Sequence, residues 1–346
     1  MISGRKNPAI SHIVLENDIR DTAIARRFAR RFPGAAVTVC PSAAERAACT
    51  ARVGPPKRVV YLARRRGPWI KTFPSHPWYG ADGGCRYNLI LGYNCTASCR
   101  YCFVQTIFDD PIPTIFADSV GMADELHAFL DRNPDAGVST GEYIDSLLFD
   151  DVTRYTESLM AVFSQFGSTT LELRTKSTQT DHLPEDPIHQ VLVSYSINPP
   201  DVVRAAEPGT PGLGARLGQA RRLSERGYRI GLRIDPVVPT EAFSAGYRRL
   251  PAAVERHLGW RRVSRVFLGV LRFDAALLER MSRTAGGRRL LDAEYVRCPD
   301  GYYRPSRHAR IETYRRIVNG IRRFAPAADI SVTMEPNYVQ RAVLDA

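Results

Sequence analysis

Three closely spaced cysteines are the residues of this chain best suited to chemistry. Cys95, Cys99 and Cys102 form a C-x3-C-x2-C pattern inside the stretch Tyr87 to Thr106. Three thiolates in one short loop indicate a metal site, because the thiolate is the form of cysteine that binds metal. A closed structural zinc site or an ordinary four-cysteine cluster uses four protein ligands. The count of three therefore predicts a metal centre with one open position.

Zinc is the alternative metal, with a fourth ligand from Cys85 or a distant histidine. Cys85 is the only other cysteine nearby. It precedes the apolar run Tyr87 to Leu91, which predicts a buried strand ended by Gly92, whereas the triplet follows that run. Because a strand would separate Cys85 from the triplet, the spacing favours the three-cysteine centre.

Strands and helices alternate from Tyr87 onward, which is typical of a parallel sheet with crossover helices. Apolar residues at helical spacing predict one helix from Tyr155 to Phe166 and another from Leu213, which Gly227 would end. Six units of this kind predict an α/β fold built on an incomplete (β/α)6 barrel. The six predicted strands are Tyr87 to Leu91, Gly137 to Ser139, Thr170 to Thr175, Val191 to Ile197, Tyr228 to Ile234 and Val266 to Leu271.

Polar residues follow these predicted strands on the side of the cysteine loop. One such residue is often a helix cap or a turn. Polar groups at four strand ends besides the cysteine loop predict a site, because functional groups cluster at the C-terminal ends of the strands in (β/α)8 barrels. The residues are Ser139, Thr140, Gly141, Glu142, Lys176, Ser196, Asn198 and Asp235.

The cysteine spacing, with Tyr101 directly before the last cysteine, resembles the signature of radical S-adenosylmethionine enzymes. The resemblance implies that Cys95, Cys99 and Cys102 hold a [4Fe-4S] cluster and that S-adenosylmethionine chelates the fourth iron. One electron from the cluster would then cleave the sulfonium and release a 5'-deoxyadenosyl radical. An electron donor such as flavodoxin or ferredoxin is implied as a partner.

Within that superfamily the chain resembles the spore photoproduct lyase family over nearly all of its length. That family repairs a methylene-bridged thymine dimer in DNA. The order and spacing of the similar segments make the resemblance more specific than the cysteine triplet alone. These segments are CRYCFVQT (99 to 106), LRTKS (173 to 177), SYSIN (194 to 198), EPGT (207 to 210) and GYRRL (246 to 250).

The resemblance also implies a binding site for S-adenosylmethionine. Glu142 and the backbone at Gly141 would accept the amino group, while Lys176 and Ser196 would hold the carboxylate. An ammonium group needs carboxylate or carbonyl acceptors, and a carboxylate needs a cation and a hydroxyl donor. Tyr101 would lie against the adenine side.

Two departures from the family concern the return of a hydrogen atom to the product radical. Where the family has a donor cysteine, this chain has Ser139, and where it has a relay tyrosine, this chain has Phe103. A hydroxyl cannot replace a thiol, because its O–H bond is much stronger than an S–H bond. The divergent segment 295 to 304 offers Cys298 and Tyr302 as alternative donors.

The composition is that of a soluble globular protein, and no apolar run approaches the length of a membrane span. We therefore expect a cytoplasmic protein without a membrane partner. The net charge of +12 is carried almost entirely by arginine and raises the possibility of a nucleic-acid surface. Three divisions are predicted: an α/β extension at 1–80, the partial barrel at 81–275 and a substrate-side extension at 276–346.

The first functional hypothesis is a radical S-adenosylmethionine enzyme acting on a small metabolite or nucleoside rather than on duplex DNA. The second is a DNA thymine-dimer lyase whose hydrogen donor has moved. The third is a metal-containing protein that binds nucleic acid without catalysis. The charge favours the second hypothesis, and the missing donor favours the first.

Overall fold

The structure, a computed structural model, describes residues 10–51, 53–73, 79, 85–108 and 110–345. The chain forms two compact units. The first unit contains Met1–Phe73, Cys85–Thr96 and Ile107–Val191, and the second contains Pro74–Gly84, Ala97–Thr106 and Leu192–Ala346. The division into segments 1–80, 81–275 and 276–346 stays a prediction.

The strands of the described residues, in chain order, are β1 (His12–Glu16), β2 (Ala36–Cys40), β3 (Val59–Ala63), β4 (Ile70–Thr72), β5 (Tyr87–Leu89), β6 (Gly92–Tyr93), β7 (Thr114–Phe116), β8 (Gly137–Thr140), β9 (Thr170–Thr175), β10 (Val191–Ser196), β11 (Arg229–Val237), β12 (Val263–Val270), β13 (Tyr295–Arg297), β14 (Tyr303–Pro305) and β15 (Ile330–Val332).

The α-helices are α1 (Ala23–Arg31), α2 (Arg46–Thr50), α3 (Val104–Ile107), α4 (Ser119–Arg132), α5 (Asp150–Thr153), α6 (Tyr155–Phe163), α7 (Pro200–Ala206), α8 (Leu213–Glu225), α9 (Glu241–His257), α10 (Ala275–Ser282), α11 (Ala285–Arg288), α12 (Arg307–Arg322) and α13 (Asn337–Leu344). Single turns of 3-10 helix lie at Asn17–Ile19, Ala43–Glu45, Pro56–Arg58 and Trp260–Arg262.

The first unit contains a sheet with the strand order β2-β1-β3-β7-β6, in which only β6 runs antiparallel to its neighbour. Helix α1 begins at the cap residue Thr22, whose side chain accepts a hydrogen bond from the backbone of Ala25. Ile24 and Phe28 bury one face of α1.

Strands β4, β5, β8 and β9 lie side by side in that order in the first unit. Pairing is antiparallel between β4 and β5 and parallel between the others. The segment 67–84 is rich in proline and glycine, which predicts a packed linker rather than a regular element. This prediction is wrong for β4, which pairs through Ile70 opposite Leu89. The backbone amides of Trp69 and Ile70 also donate to Glu125 Oε1 at 2.7 and 3.0 Å, which fixes the start of β4. Residues 74–78 and 80–84 of that predicted linker lie outside the described residues.

The second unit has four parallel strands in the order β10-β11-β12-β15. Helices α7, α8 and α9 provide the crossovers, and α8 buries the predicted stripe of Leu213, Leu217, Ala220 and Leu223. Gly227 follows α8 with φ +90°, a conformation that glycine adopts without strain.

All six strands predicted from Tyr87 onward are present, with ends shifted by a few residues. Five further strands from Tyr87 onward were not predicted, of which β6 and β7 pair with each other in the first unit. Strand β15 joins β12 in parallel, and β13 pairs with β14 as an antiparallel hairpin inside the divergent segment 295–304. No helix in the described ranges is both long and apolar enough to cross a membrane.

Candidate functional site

The part of the cysteine loop in the second unit is bound to the end of helix α7. The backbone amides of Ser98 and Arg100 donate to the carbonyls of Pro208 and Ala206 at 3.1 and 2.8 Å. The Arg100 guanidinium adds a hydrogen bond from Nε to the carbonyl of Ala205 at 3.0 Å. These contacts fix the backbone around Cys99.

Gln105 holds the carbonyl groups of both cysteines in this segment. Its Nε2 donates to the carbonyl of Cys99 at 2.7 Å and to that of Cys102 at 3.1 Å. Cys99 is buried and Cys102 is half-buried. The side chain of Gln105 therefore connects the backbone carbonyls of the second and third cysteines of the motif.

Tyr101 ties the loop to a buried carboxylate. Its hydroxyl donates to Glu207 Oε1, and Asn198 Nδ2 donates to the same oxygen at 2.9 Å. Tyr247 continues this chain of hydrogen bonds by donating to Asn198 Oδ1 at 2.8 Å. Burial, followed by the charge of Glu207, raises the pKa of Tyr101 well above its ordinary value. Tyr101 is therefore a neutral hydrogen-bond donor at any physiological pH.

Arg216 neutralises Glu207 inside the protein. Both side chains are fully buried, and the guanidinium contacts Glu207 Oε2 directly. It also donates to the carbonyls of Pro211 and Ser196 at 2.8 and 2.9 Å and to the hydroxyl of Thr210 at 2.6 Å. A buried ion pair is tolerated when further hydrogen bonds satisfy its groups, and this arginine has three such bonds.

Cys95, the first cysteine of the motif, lies in the first unit and is half-buried. Its carbonyl oxygen accepts a hydrogen bond of 2.7 Å from Lys57 Nζ. Asn94, just before it, is buried with φ +62°, and its Nδ2 donates to the carbonyl of Asp110 at 2.8 Å. The position of Cys95 is thus fixed through its own backbone and its neighbour.

Gly141 occupies a position in the first unit where the backbone excludes a side chain. Its φ is +90°, and a Cβ atom would lie 2.6 Å from both the Arg174 carbonyl oxygen and Ser146 Oγ. Ser146 connects the loop after β8 to β9 through two hydrogen bonds. Its amide donates to the Arg174 carbonyl at 3.0 Å, and its Oγ accepts from the Arg174 amide at 2.9 Å. The loop after β8 therefore lies directly against the end of β9.

Glu142 is oriented by an arginine. Arg174 donates from one terminal nitrogen to Glu142 Oε2 at 2.6 Å and from Nε to Glu172 Oε2 at 3.0 Å. Burial, the largest effect, would lower the pKa of Arg174, but the charges of Glu172 and Glu142 outweigh it and the pKa is raised. Glu142 is thus a carboxylate with a permanent cationic neighbour.

Asp145 organises the chain around Lys176. Its Oδ2 accepts from the backbone amide of Lys176 at 2.7 Å, and its Oδ1 accepts from Thr175 Oγ1 at 2.7 Å. Oδ1 also accepts from the amide of Leu147 at 3.0 Å. One carboxylate therefore joins the loop that carries Gly141 to the strand end that carries Lys176.

Ser196 lies at the end of β10 in the second unit and is half-buried. Its carbonyl is the one that accepts from Arg216. The predicted ligand position is consequently connected to the group that neutralises Glu207.

Ser139 is fully buried inside β8. Its hydroxyl donates to Asn88 Oδ1 at 2.7 Å, on the neighbouring strand β5. The hydroxyl is therefore part of the sheet packing of the first unit.

Cys298 and Tyr302 close the turn between β13 and β14. The Cys298 amide donates to the Tyr302 carbonyl at 2.8 Å, and Gly301 between them has φ +86°. A terminal nitrogen of Arg310 lies 4.0 Å from Cys298 Sγ. The thiol is half-buried beside a guanidinium group.

An ion pair supports the same hairpin. Arg304 donates two hydrogen bonds to Asp300, of 2.8 and 2.6 Å, and Tyr79 donates a third of 2.7 Å. The side chains of Arg304 and Asp300 are almost completely buried. The turn that carries Cys298 and Tyr302 is therefore held by charge-assisted hydrogen bonds.

Within the residues that the structure describes, no three His, Cys, Asp or Glu side chains are gathered in a metal-holding arrangement. The donor set of the loop nevertheless fits an iron–sulfur cluster, because cysteine thiolates are the ordinary ligands of such clusters. Three thiolates also leave one iron of a four-iron cluster without a protein ligand. The loop chemistry therefore suits the group that the sequence predicts.

Several residues that shape this site were missed by sequence reasoning. Arg216 carries a usable signal, since it lies on the apolar face of α8, three positions after Leu213, whereas Arg221 and Arg222 lie off that face. Asp145 follows Glu142 by three positions and resembles an ordinary turn residue. Lys57 has no local signal, because it lies in a turn remote in sequence from Cys95.

Comparison with known proteins identifies relatives among the spore photoproduct lyases. The family model described as spore photoproduct lyase matches residues 80–282. Spore photoproduct lyase of Geobacillus sp. (strain Y412MC61) is 29% identical over 185 residues, which is 50% of this chain and 52% of the relative. The enzyme of Bacillus subtilis (strain 168) is 26% identical over 171 residues, 47% of this chain and 49% of the relative. The chain thus spans about half the length of the curated relatives it matches.

Solved structures show the same fold. A spore photoproduct lyase complexed with dinucleoside spore photoproduct has a TM-score of 0.79 at 19% identity, covering 95% of this chain and all of the other. A mutant with bound AdoMet and dinucleoside spore photoproduct has a TM-score of 0.76 at 18% identity, covering 94% of this chain and 99% of the other. This likeness confirms the predicted α/β fold class, and the family match covers more than half of the sequence. The chain belongs to the spore photoproduct lyase family.

Proposed function

We propose that this protein is a radical S-adenosylmethionine enzyme that abstracts a hydrogen atom from an organic substrate. One observation carries the proposal. Tyr101, which lies between two motif cysteines, donates a hydrogen bond to Glu207, and Glu207 forms a buried ion pair with Arg216. A loop built to present thiolates is held in place by groups that have no role as ligands. The family match supports the proposal, because residues 80–282 include all three cysteines.

Cys95, Cys99 and Cys102 would hold a [4Fe-4S] cluster. When bound together with S-adenosylmethionine, such a cluster supplies the electron that releases a 5'-deoxyadenosyl radical. The part of the protein is to fix the sulfur donors and to orient the ligand. Flavodoxin or ferredoxin is the kind of electron donor that we propose as a partner.

S-adenosylmethionine would be held by residues at the ends of β8, β9 and β10 and by Tyr101 in the cysteine loop. Glu142 and the Gly141 carbonyl would accept its amino group, with Arg174 fixing the orientation of the Glu142 carboxylate. A carboxylate has acceptor sites on both oxygens, so one bond to Arg174 is compatible with a second donor. Lys176 and Ser196 would hold the carboxylate, and Tyr101 would lie on the adenine side.

The substrate that we propose is a nucleoside or another small molecule rather than duplex DNA. Ser139 supports this proposal, because its hydroxyl is buried and engaged with Asn88, and an O–H bond is too strong to quench a carbon radical. Phe103 lacks the hydroxyl of a relay tyrosine. A solved spore photoproduct lyase is complexed with a dinucleoside spore photoproduct, which favours a substrate with a nucleoside component.

A DNA-lesion lyase with a relocated hydrogen donor is the second candidate. Family membership and the net charge of +12 favour it. The donor would then be Cys298 or Tyr302, which share the turn of the β13–β14 hairpin. In this candidate function, a residue of the hairpin, rather than a residue of β8, would return the hydrogen atom to the product radical.

The test is anaerobic reconstitution of the full chain with iron and sulfide, followed by reduction in the presence of S-adenosylmethionine. We expect about four irons per chain and release of 5'-deoxyadenosine, measured by iron analysis and chromatography. A Cys99→Ala variant should lose both, while Cys49→Ala should keep both. A protein that takes up only zinc and forms no 5'-deoxyadenosine would support instead a metal protein without catalysis.

The substrate class can be tested with the same preparation. Dinucleoside spore photoproduct and irradiated duplex DNA would be supplied separately, and thymine-containing products would be measured. If the lesion in duplex DNA is repaired at a rate similar to that of the dinucleoside, the result favours the second candidate, a DNA-lesion lyase. Formation of 5'-deoxyadenosine without repair of either favours a different small substrate.

A further inference from the structure

Lys57 is the half-buried residue of an otherwise exposed turn. The 3-10 turn Pro56–Arg58 leads into β3, and Gly54, Pro55, Pro56 and Arg58 around Lys57 are all exposed. Lysine is rare in this chain, which has only four. The partial burial of this charged side chain indicates a specific interaction, because burying a charge without a partner costs free energy.

That interaction is with the backbone of the cysteine loop. Lys57 Nζ lies 2.7 Å from the carbonyl oxygen of Cys95 and 3.2 Å from that of Pro111. An ammonium group has three donors and a full charge, and its hydrogen bonds are stronger than those between neutral groups. Lys57 therefore joins the first motif cysteine to the segment that precedes β7.

The same segment holds the residue before Cys95. Asn94 donates to the carbonyls of Asp110 and Ile112 at 2.8 and 3.3 Å from a buried side chain with φ +62°. Arg46 in turn donates to Asp110 Oδ2 and Thr114 Oγ1, both at 2.8 Å. Cys95 is thus held on a fixed framework within the first unit, and Lys57 contributes its formal positive charge.

We propose that Lys57 is a positioning residue that fixes Cys95 and raises the reduction potential of the cluster bound there. The inference rests on the proposed function, since it requires the cluster. Reduction adds negative charge to a centre already rich in thiolates, so a cation held beside one ligand stabilises the reduced state. Net charge and hydrogen bonds around the ligands are established determinants of the potential of such clusters.

The test uses three full-length variants reconstituted anaerobically. Lys57→Met keeps the length of the side chain but removes its charge, and Lys57→Arg keeps the charge. Lys71→Met is the matched control, because Lys71 is exposed on β4. The midpoint potential is measured by redox titration followed by electron paramagnetic resonance, and the iron content and the thermal unfolding of each apo-protein are measured in parallel.

We expect Lys57→Met to shift the midpoint potential to more negative values, with Lys57→Arg close to the wild type and Lys71→Met unchanged. A loss of iron in Lys57→Met alone, with an apo-protein that unfolds at the wild-type temperature, also supports the role in fixing Cys95. An unchanged potential together with full iron content in Lys57→Met overturns the inference. A wild type that binds no cluster would refute the proposed function itself, which separates the two failures.

Discussion

The hydroxyl of Tyr101 donates to the carboxylate of Glu207, a residue that lies far along the chain and is fully buried. Tyr101 lies between Cys99 and Cys102 in the sequence, so this bond joins the cysteine loop to Glu207. The hydrogen bond therefore fixes the direction in which this part of the loop faces. Glu207 is in turn fixed by Arg216 and Asn198.

Replacing Glu207 by alanine should destabilise the protein by about 3–5 kcal/mol, because it leaves the buried charge of Arg216 without its partner. Tyr101→Phe should lower the free energy of unfolding by less, about 0.5–1.5 kcal/mol, because it removes one hydrogen bond. Chemical denaturation of the apo-proteins measures both. Glu312→Ala, on the exposed face of α12, is the control and should change little. Equal effects of the Glu207 and Glu312 variants would contradict the anchoring role.

Gly141→Ala should be strongly destabilising and should disturb the predicted S-adenosylmethionine site. A positive φ costs a non-glycine residue about 1–3 kcal/mol, and the added Cβ would also clash with the backbone at Arg174. Gly34→Ala is a matched control, because no atom lies within 4 Å of its Cβ position. Thermal unfolding compares the two variants, and similar melting temperatures would show that the loop after β8 adapts.

The stability of the hairpin turn should depend on acid pH through Asp300. Burial would raise the pKa of this carboxyl, but hydrogen bonds from Arg304 and Tyr79 outweigh it and hold the pKa below the ordinary value of 3.8. A carboxyl with a lowered pKa in the folded state contributes stability above its unfolded pKa, and the contribution is lost as the pH falls through the folded pKa. Unfolding free energies between about pH 6 and pH 2 should therefore fall less steeply in Asp300→Asn than in the wild type. If the unfolding free energies of the two proteins fall in parallel with pH, Asp300 does not contribute to the loss of stability in acid.

Lys176→Ala should weaken S-adenosylmethionine binding while leaving the cluster spectrum intact. The ammonium is expected to pair with the methionyl carboxylate, and truncating one partner of such a pair costs about 2–5 kcal/mol. The backbone at Lys176 is held by Asp145 independently of its side chain, so the strand end should keep its shape. Equilibrium binding to the reconstituted protein is the measurement, with Lys71→Ala as the control. An unchanged affinity would exclude Lys176 from the site.

Cys298→Ala should change the products without reducing 5'-deoxyadenosine formation, once a substrate is known. A thiol is a suitable hydrogen donor to a carbon radical, and loss of the donor would replace the normal product by aborted or adducted ones. Product chromatography compares this variant with Cys49→Ala, whose thiol belongs to α2. If the product distribution stays the same, the radical ends through another group, with Tyr302 next to be tested.

Local patterns were sufficient to predict much of the fold. The strands from Tyr87 onward and the stripe on α8 have clear periodicity, because burial on one face constrains the residue types. Strand β4 escaped prediction since it is three residues long and surrounded by proline, glycine and aromatic residues. Its pairing with β5 is a tertiary effect that no local signal carries.

The site could be predicted only where a motif is local. Three cysteines within eight positions and polar residues after strands can be recognised in the sequence. The contact between Lys57 and Cys95 cannot, because it joins a turn to a loop that is distant in sequence and has no characteristic residue pattern. The same holds for Arg216, whose burial becomes understandable only when Glu207 is seen beside it.

The anchoring of the loop at Cys99 and Cys102 bears on the order in which the holoenzyme forms. Protein groups support this segment: the carbonyls at the end of α7, the side-chain amide of Gln105 and the carboxylate of Glu207. The conformational entropy of the segment is therefore lost when the polypeptide folds, before any iron is present. A delivery protein would then meet two cysteines whose backbone is already ordered, and insertion of the cluster would require little further ordering of this part of the chain.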